Sequence, residues 1–318
     1  MKILMFGRGV IATQYGWALA KAGNAVEFYV RPGRIAQYGP TVQLDLLDAR
    51  TKSAGVLVKE TWATVLREDL PANHDYELIV VSVSHDKFAE AMAFLSGRVG
   101  KATVLVFNNL WVDPGTATAS LPAGQVVWGF PGAGGGFAPA GTLRGGMLKQ
   151  VFFGTLNTDR TPRDEAVRSL FRSAGFSVSE QKDFRAWLWF HFIGNAAMAA
   201  QSTKAGGVTA LLDSPQEVTG MLRVIRELLP VLKARGIKVG LLSRLPFMLP
   251  ARPLGWLIQK AAFTPGKMIR EVAERAASSP NNKHEFVLYV HDVLAEARKL
   301  GVKVPSIEAA TTALAAGH

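Results

Sequence analysis

The first half of the chain alternates compact apolar runs with longer mixed segments, and the second half does not. Residues 2–6 (KILMF), 25–30, 78–83 (LIVVSV), 103–107, 126–129 and 151–153 form the apolar runs. Their length and their Val, Ile and Leu content predict strands, and the unbroken run at 78–83 predicts one buried on both faces of a parallel sheet. Residues 41–60 alternate apolar and polar positions around 48–50 and 53–55, so short antiparallel strands are expected there, inserted after the second parallel strand. The glycine-rich 131–136 predicts a loop where backbone approaches a ligand. Beyond residue 159 helices take over. A helix is expected from Pro162 to Ser173, a short edge strand at 176–179, and then helices at 184–202, 216–235 and 261–277 with a long final one at 284–300. The helix at 184–202 is apolar nearly all round and is therefore expected to be buried. Pro246, Pro250 and Pro253 rule out one regular helix over 244–255, whose apolar residues suit a lid or an oligomer contact.

Two textures in 318 residues predict two domains, a doubly wound parallel α/β sheet of Rossmann type over 1–180 and a helical domain over 181–318. With 48% hydrophobic and 19% charged residues the chain is globular, and with no cysteine it can form neither disulfides nor thiolate metal sites. The apolar stretches at 186–200 and 241–263 are too short to span a bilayer or are broken by Arg244, Arg252 and Lys260, so no membrane partner is expected. The N-terminal apolar run reads as the first strand rather than a leader, and a cytoplasmic location is the expectation. A net charge of +11 raises the possibility of nucleic acid, yet the basic residues are spread along the chain with no Arg-rich run or stacking motif. Small anionic ligands are the simpler partners.

The chemistry concentrates at strand ends. After the first strand, Gly7-Arg8-Gly9-Val10-Ile11-Ala12 has the form G-x-G-x-x-A and opens a helix. Gly7 permits the tight turn, Gly9 lets backbone approach a pyrophosphate, Ala12 lets helix and strand pack closely, and the helix N-terminus presents N–H groups to phosphate. A dinucleotide site is the reading, against an ordinary strand-to-helix turn. At the end of the second strand stand Arg31 and Arg34, with Glu27 inside the strand and too early to bind ribose. Arginines there accommodate a 2′-phosphate, which favours NADP(H) over NAD(H); the alternative is two solvated loop charges. Ser84-His85-Asp86-Lys87 and Asn108-Asn109 follow later strands and are candidates for the rim of the site, His85 and Asp86 reading as a helix cap sooner than a catalytic pair. On the apolar helix, His191 and Asn195 share one face, with Ser202 further on. They are either satisfied core residues or groups facing a ligand.

Over nearly its full length the chain resembles the ketopantoate reductase (2-dehydropantoate 2-reductase) family. The resemblance rests on GRGVIA, Arg31, YELIVVSV, VLVFNN, WLWFHFIGNAAM and KHEF with ARKLGVKVPS. It implies NADPH reducing a 2-oxo acid to a 2-hydroxy acid, a small carboxylate-bearing substrate, a homodimer and a place in pantothenate biosynthesis, and the cofactor is expected in a cleft between the domains with the helix 184–202 facing its nicotinamide. By position, Asn108 matches an Asn touching nicotinamide and substrate, followed here by Asn109 in place of glycine. His191 and Asn195 stand where the family has a catalytic Lys and a substrate-binding Asn, Ala199 replaces a further Asn, and Glu285 matches an acid near the nicotinamide ribose. Ser84 and Lys87 stand where the family often has Lys and Gln, and Ser278 or Ser279 is the nearest match to a substrate-binding Ser. The implied mechanism has protonated His191 as the acid, its pKa raised by Glu285, with Asn108 and Asn195 holding substrate. A reductase of another oxo acid or an imine, or a non-catalytic NADP-binding regulator, fits the same pattern.

Overall fold

The computed structural model describes residues 1–156, 158–237, 249–279 and 282–316. The chain divides into two compact units, Met1–Arg185 and Ala186–His318.

In the first unit the strands are β1 (Lys2–Phe6), β2 (Ala25–Tyr29), β3 (Thr41–Asp48), β4 (Val56–Ala63), β5 (Val65–Arg67), β6 (Leu78–Val81), β7 (Thr103–Val106), β8 (Val126–Phe130), β9 (Ala133–Phe137), β10 (Leu143–Met147), β11 (Gln150–Gly154) and β12 (Ser177–Gln181). Between them lie α1 (Val10–Lys21), α2 (Arg34–Tyr38), α3 (Phe88–Leu95), α4 (Pro114–Ala117) and α5 (Pro162–Ser173). Among the described residues, eight strands make one sheet in the order β12-β11-β8-β7-β6-β1-β2-β5. From β5 through β8 every pairing is parallel, which is the Rossmann order with its switch point between β1 and β6. β11 runs antiparallel to β8 and carries β12 at the edge. The four residues of β6 and the four of β7 are all buried, as expected for strands covered on both faces. The α/β class with a Rossmann sheet followed by helices is therefore as the hydrophobic pattern predicted.

A second sheet, β4-β3-β10-β9, joins the expected hairpin β3–β4 to two strands from a hundred residues later. Here the glycine-rich 131–136 departs from expectation. It is not a loop but leads into β9, which pairs antiparallel with β10. Its glycines serve close backbone packing: a Cβ on Gly132 would fall on the Gln150 carbonyl oxygen, and one on Gly135 would lie 2.5 Å from the Arg144 carbonyl. On β10, Gly145 leaves room for the buried Gln14 of α1, whose amide would otherwise lie 2.8 Å from a Cβ. Gln14 Nε2 donates to the Gly134 carbonyl at 3.2 Å. Trp17, Ala18, Leu44, Leu46, Leu143 and Met147 share one apolar core with the main sheet's Ile3, Met5, Leu78 and Leu105.

The second unit is helical among its described residues: α6 (Phe184–Ala205), which begins at the end of the first unit, α7 (Val208–Asp213), α8 (Pro215–Ala234), α9 (Ala251–Ala262), α10 (Met268–Ala277), α11 (Asn282–Lys299) and α12 (Pro305–Ala316). α8 ends before Gly236, whose φ of 82° suits only glycine well. Part of the proline-broken stretch, 244–248, lies outside the described residues. Its remainder starts α9 after Pro250, with Pro253 in the first turn, where a missing N–H costs nothing. The helix at 284–300 is not the last, because Pro305 opens α12.

Candidate active site

β1 delivers the chain to Gly7, whose φ of 96° and N–H bond to the Tyr29 carbonyl at 2.9 Å turn it sharply at the switch point. Gly9 then caps α1 with no side-chain hydrogen bond and no acidic residue in the first turn. The first N–H groups of a helix have no intrahelical partner, so this end presents donors and a positive dipole. Protein packing does not demand glycine at position 9. A Cβ there would meet nothing nearer than the Ser82 carbonyl at 4.0 Å. A small, exposed residue at that place fits the close approach of a bound phosphate. Val10 and Ile11 are half-buried, and Ala12 is fully buried against the core.

The neighbouring strand ends supply polar atoms that the protein leaves unsatisfied. Asn108, 4% exposed after β7, donates from Nδ2 to the Val83 carbonyl beyond β6, and its Oδ1 is buried without a partner. Ser82 Oγ is likewise buried and unpaired. Buried polar atoms normally find a partner, so these two fit a ligand lying across the carboxyl ends of β6 and β7. Ser84 is exposed, and its carbonyl accepts the Lys87 N–H at 2.9 Å. His85 and Asp86 lie in a short 3-10 turn whose N-cap is Ser84, so neither is itself the N-cap of that turn or of α3, where Lys87 takes the position.

At the end of β2 Arg31 is exposed, and half-buried Arg34 bonds the side chain of Gln37. Glu27 is engaged away from this end. Burial pushes its pKa up, but hydrogen bonds from Arg67 and Tyr76 and the charges of Arg67 and Lys2 bring it below its ordinary value. Two residues that the sequence reading did not single out also belong here. Glu68, just after β5, accepts the Ile35 N–H at 2.8 Å, and that bond holds its carboxyl below the usual range. Arg8 reaches from the glycine turn to the segment after β2. Arg8 was visible as a basic residue inside the motif, whereas nothing in the spacing pointed to Glu68.

In the second unit, His191 and Asn195 lie half-buried one turn apart on α6, and the His191 ring stacks on Trp187 at 5.4 Å. Burial lowers the His191 pKa from 6.5 to about 4. The expected imidazolium sustained by Glu285 is thus corrected: the ring is neutral near pH 7, because desolvation opposes its charge. Glu285, exposed in the first turn of α11, lies one turn before Tyr289, whose ring meets Phe192 of α6 edge-on at 4.8 Å. Ala199, fully buried, accepts the Ser202 and Thr203 hydroxyls at its carbonyl at 3.1 and 2.8 Å, so Ser202 is a satisfied core residue. The Ser278 hydroxyl is bonded to the Arg275 carbonyl at 2.8 Å. No group of His, Asp or Glu among the described residues is arranged to hold a metal.

No protein-family model matches the chain, and no curated protein sequence does. Solved structures do. The 2-dehydropantoate 2-reductase from Geobacter metallireducens is similar with a TM-score of 0.69 at 16% identity, over 100% of both chains. A PanE/ApbA family ketopantoate reductase from Ralstonia eutropha gives 0.66 at 18% identity, over 99% of this chain and 98% of that one. D-mandelate dehydrogenase in its ternary structure with NADH and anilino(oxo)acetate gives 0.71 at 14% identity, over 99% and 97%. The whole chain therefore has the fold seen in ketopantoate reductases, a Rossmann domain followed by a helical one.

Proposed function

We propose that the protein is an NADPH-dependent reductase that converts a 2-oxo acid to a 2-hydroxy acid, resembling 2-dehydropantoate 2-reductase. The observation that carries this reading is the β1/β6 switch point, where a glycine turn and an uncapped helix start lie beside the end of β6 and the strand ends hold Ser82 Oγ and Asn108 Oδ1 buried without partners. The groups fit a dinucleotide: Gly7, Gly9, Val10 and Ile11 would line its pyrophosphate, with Ala12 packing the helix onto the strand behind them, Arg31 and Arg34 would hold its 2′-phosphate, and Ser84, Asn108 and Glu285 its nicotinamide end. A reduced nicotinamide bound there supplies the hydride for the carbonyl carbon.

Asn108 and Asn195 orient the substrate carbonyl and carboxylate, and His191 handles the proton at the oxygen. Because the ring is neutral in the free protein, it is ready to accept the hydroxyl proton of a 2-hydroxy acid. In the reducing direction it must first gain a proton, and the negative charge of a bound 2-oxo acid favours that gain. This arrangement requires Asn108 and His191 to reach one substrate. The replacements by His191 and Ala199 favour a second reading, a reductase of a different oxo acid or of an imine.

Absorbance of NADPH with a panel of 2-oxo acids and imines tests the proposal. Turnover of one 2-oxo acid is expected, turnover of imines alone selects the second reading, and nucleotide binding without turnover of any compound marks a non-catalytic regulator. A homodimer belongs to the same proposal, supported by Trp256 and Leu257, each 55% exposed on α9. Sedimentation of a monomer at micromolar concentration would remove it.

A further inference from the structure

Among the described residues, Arg8 is a cation that the fold provides with no anion. It sits between the two glycines of the turn, yet its side chain is held by the segment that follows β2. Nη2 donates to the Thr41 carbonyl at 3.0 Å, and the guanidinium lies 4.8 Å from the centre of the Tyr38 ring. Only 9% of the residue is exposed, and its Nε–H is buried with no acceptor. Burial lowers its pKa, as expected of a charge taken from water without compensation. A carbonyl and an aromatic face attract a guanidinium but do not neutralise it. Of the carboxylates on the neighbouring strands, Glu68 accepts the Ile35 N–H, Glu27 is bonded by Arg67 and Tyr76, Asp48 pairs with Arg50 and Asp45 lies 3.9 Å from Arg144.

Buried guanidinium groups are normally paired, and the fork geometry of Arg suits two oxygens of one phosphate. We propose that Arg8 completes, together with Arg31, a clamp on the 2′-phosphate of NADPH, and so is a specificity-determining residue of the cofactor site. This inference rests on the NADPH reading above. The 2′-phosphate is favoured over the pyrophosphate because both groups that fix Arg8, Tyr38 and Thr41, belong to the stretch after β2, which serves the adenosine ribose in this fold. The pyrophosphate has the N–H groups of α1.

The test titrates NADPH and NADH against the wild-type protein, Arg8→Gln and Arg8→Lys, following nucleotide fluorescence, with circular dichroism confirming the fold. Arg8→Gln should weaken NADPH by about 10- to 100-fold and NADH by less than about 2-fold, and Arg8→Lys should fall between because it keeps charge but loses the fork. Equal weakening of both nucleotides would move Arg8 to the pyrophosphate and overturn the clamp, as would no change in either. Should the variants fail to fold, competition on the wild type decides. Adenosine 2′,5′-bisphosphate should displace NADPH at least about 10-fold better than adenosine 5′-monophosphate, and equal potency refutes the clamp. A wild type that binds neither nucleotide defeats the cofactor reading and this inference with it. A wild type that binds both equally, and loses NADH in Glu68→Gln, leaves the dinucleotide site standing but assigns its rim to a ribose-binding carboxylate.

Discussion

Burial of His191 couples the stability of the helical unit to pH, and the sign of that coupling separates two accounts of the residue. Its folded pKa is about 4, below the ordinary 6.5. The folded state therefore disfavours a proton that the unfolded chain accepts, so stability contributed by the neutral ring is complete above pH 6.5 and is lost as pH falls through 4. At about 1.4 kcal/mol per pH unit between the two values, the loss approaches about 3 kcal/mol, a large part of the ~5–15 kcal/mol that holds an ordinary domain together. The perturbation is His191→Gln, which keeps a polar side chain but cannot titrate. Proton NMR of the imidazole gives the pKa directly. Denaturant melts followed by the fluorescence of Trp187 and Trp189 on α6 give the stability difference between wild type and variant from pH 8 to pH 4. Wild type should lose about 3 kcal/mol relative to the variant over that range, nearly all of it below pH 6.5. A difference that grows in favour of wild type on acidification would mean that a carboxylate holds the ring charged. A flat difference would refute the burial argument.

The glycines of the turn should respond differently to the same change. Gly9→Ala meets no protein atom within 3.9 Å and should leave the melting temperature within a few degrees while weakening nucleotide binding, whereas Gly7→Ala, at a φ of 96°, should cost about 1–2 kcal/mol of stability measured by denaturant. Arg168, fully buried and paired with Asp164 at 3.1 Å and Glu180 at 2.9 Å, should cost about 3–5 kcal/mol on Arg168→Ala, because the buried Asp164 loses its counter-charge and keeps only its hydrogen bonds with Thr161. A loss under about 1 kcal/mol in the same melts would show that the pair is not needed. Gly132→Ala should unfold or severely destabilise the first unit, since the added Cβ falls on the Gln150 carbonyl; normal expression and melting would contradict that packing.

The strands that bury both faces were legible because they read as near-continuous runs of Val, Ile and Leu, and β6 and β7 lie where the apolar runs predicted. α5 starts where the helix was expected, at Pro162, and Thr161 and Asp164 close a capping box around that start. β5, three residues with an exposed first and last, carries no such signal. β9 misled for a physical reason. Glycine marks a loop when it supplies a left-handed turn, but in AGGGF it supplies thinness, and thinness shows only when the neighbouring backbone is in place. At the candidate site, residue types and spacing located Gly7, Gly9 and Asn108. The protonation state of His191 was not legible, because it depends on how much water reaches the ring. The same holds for Arg8, whose lack of a counter-charge is a property of its surroundings.

The second sheet gives the glycine turn a history. α1, whose N-terminus would meet the phosphates, is seated by Gln14 against Gly134 and Gly145, and Tyr15 Oη accepts the Gly132 N–H at 3.0 Å. These contacts join residues more than a hundred positions apart, and β10 closes its parallel pairing with β3 across a similar span. Long-range closures of this kind are slow and form late. On a ribosome the turn at residues 7–12 is made first, and α1 can settle early on β1 and β2, but its seat on β9 and β10 waits until about residue 147 has emerged, so a nascent or truncated chain ending earlier exposes that face of the helix. Ligand affinity at the extreme N-terminus is then a property that the middle of the chain confers after the fact, and truncation before β10 should abolish nucleotide binding although the glycine motif is intact.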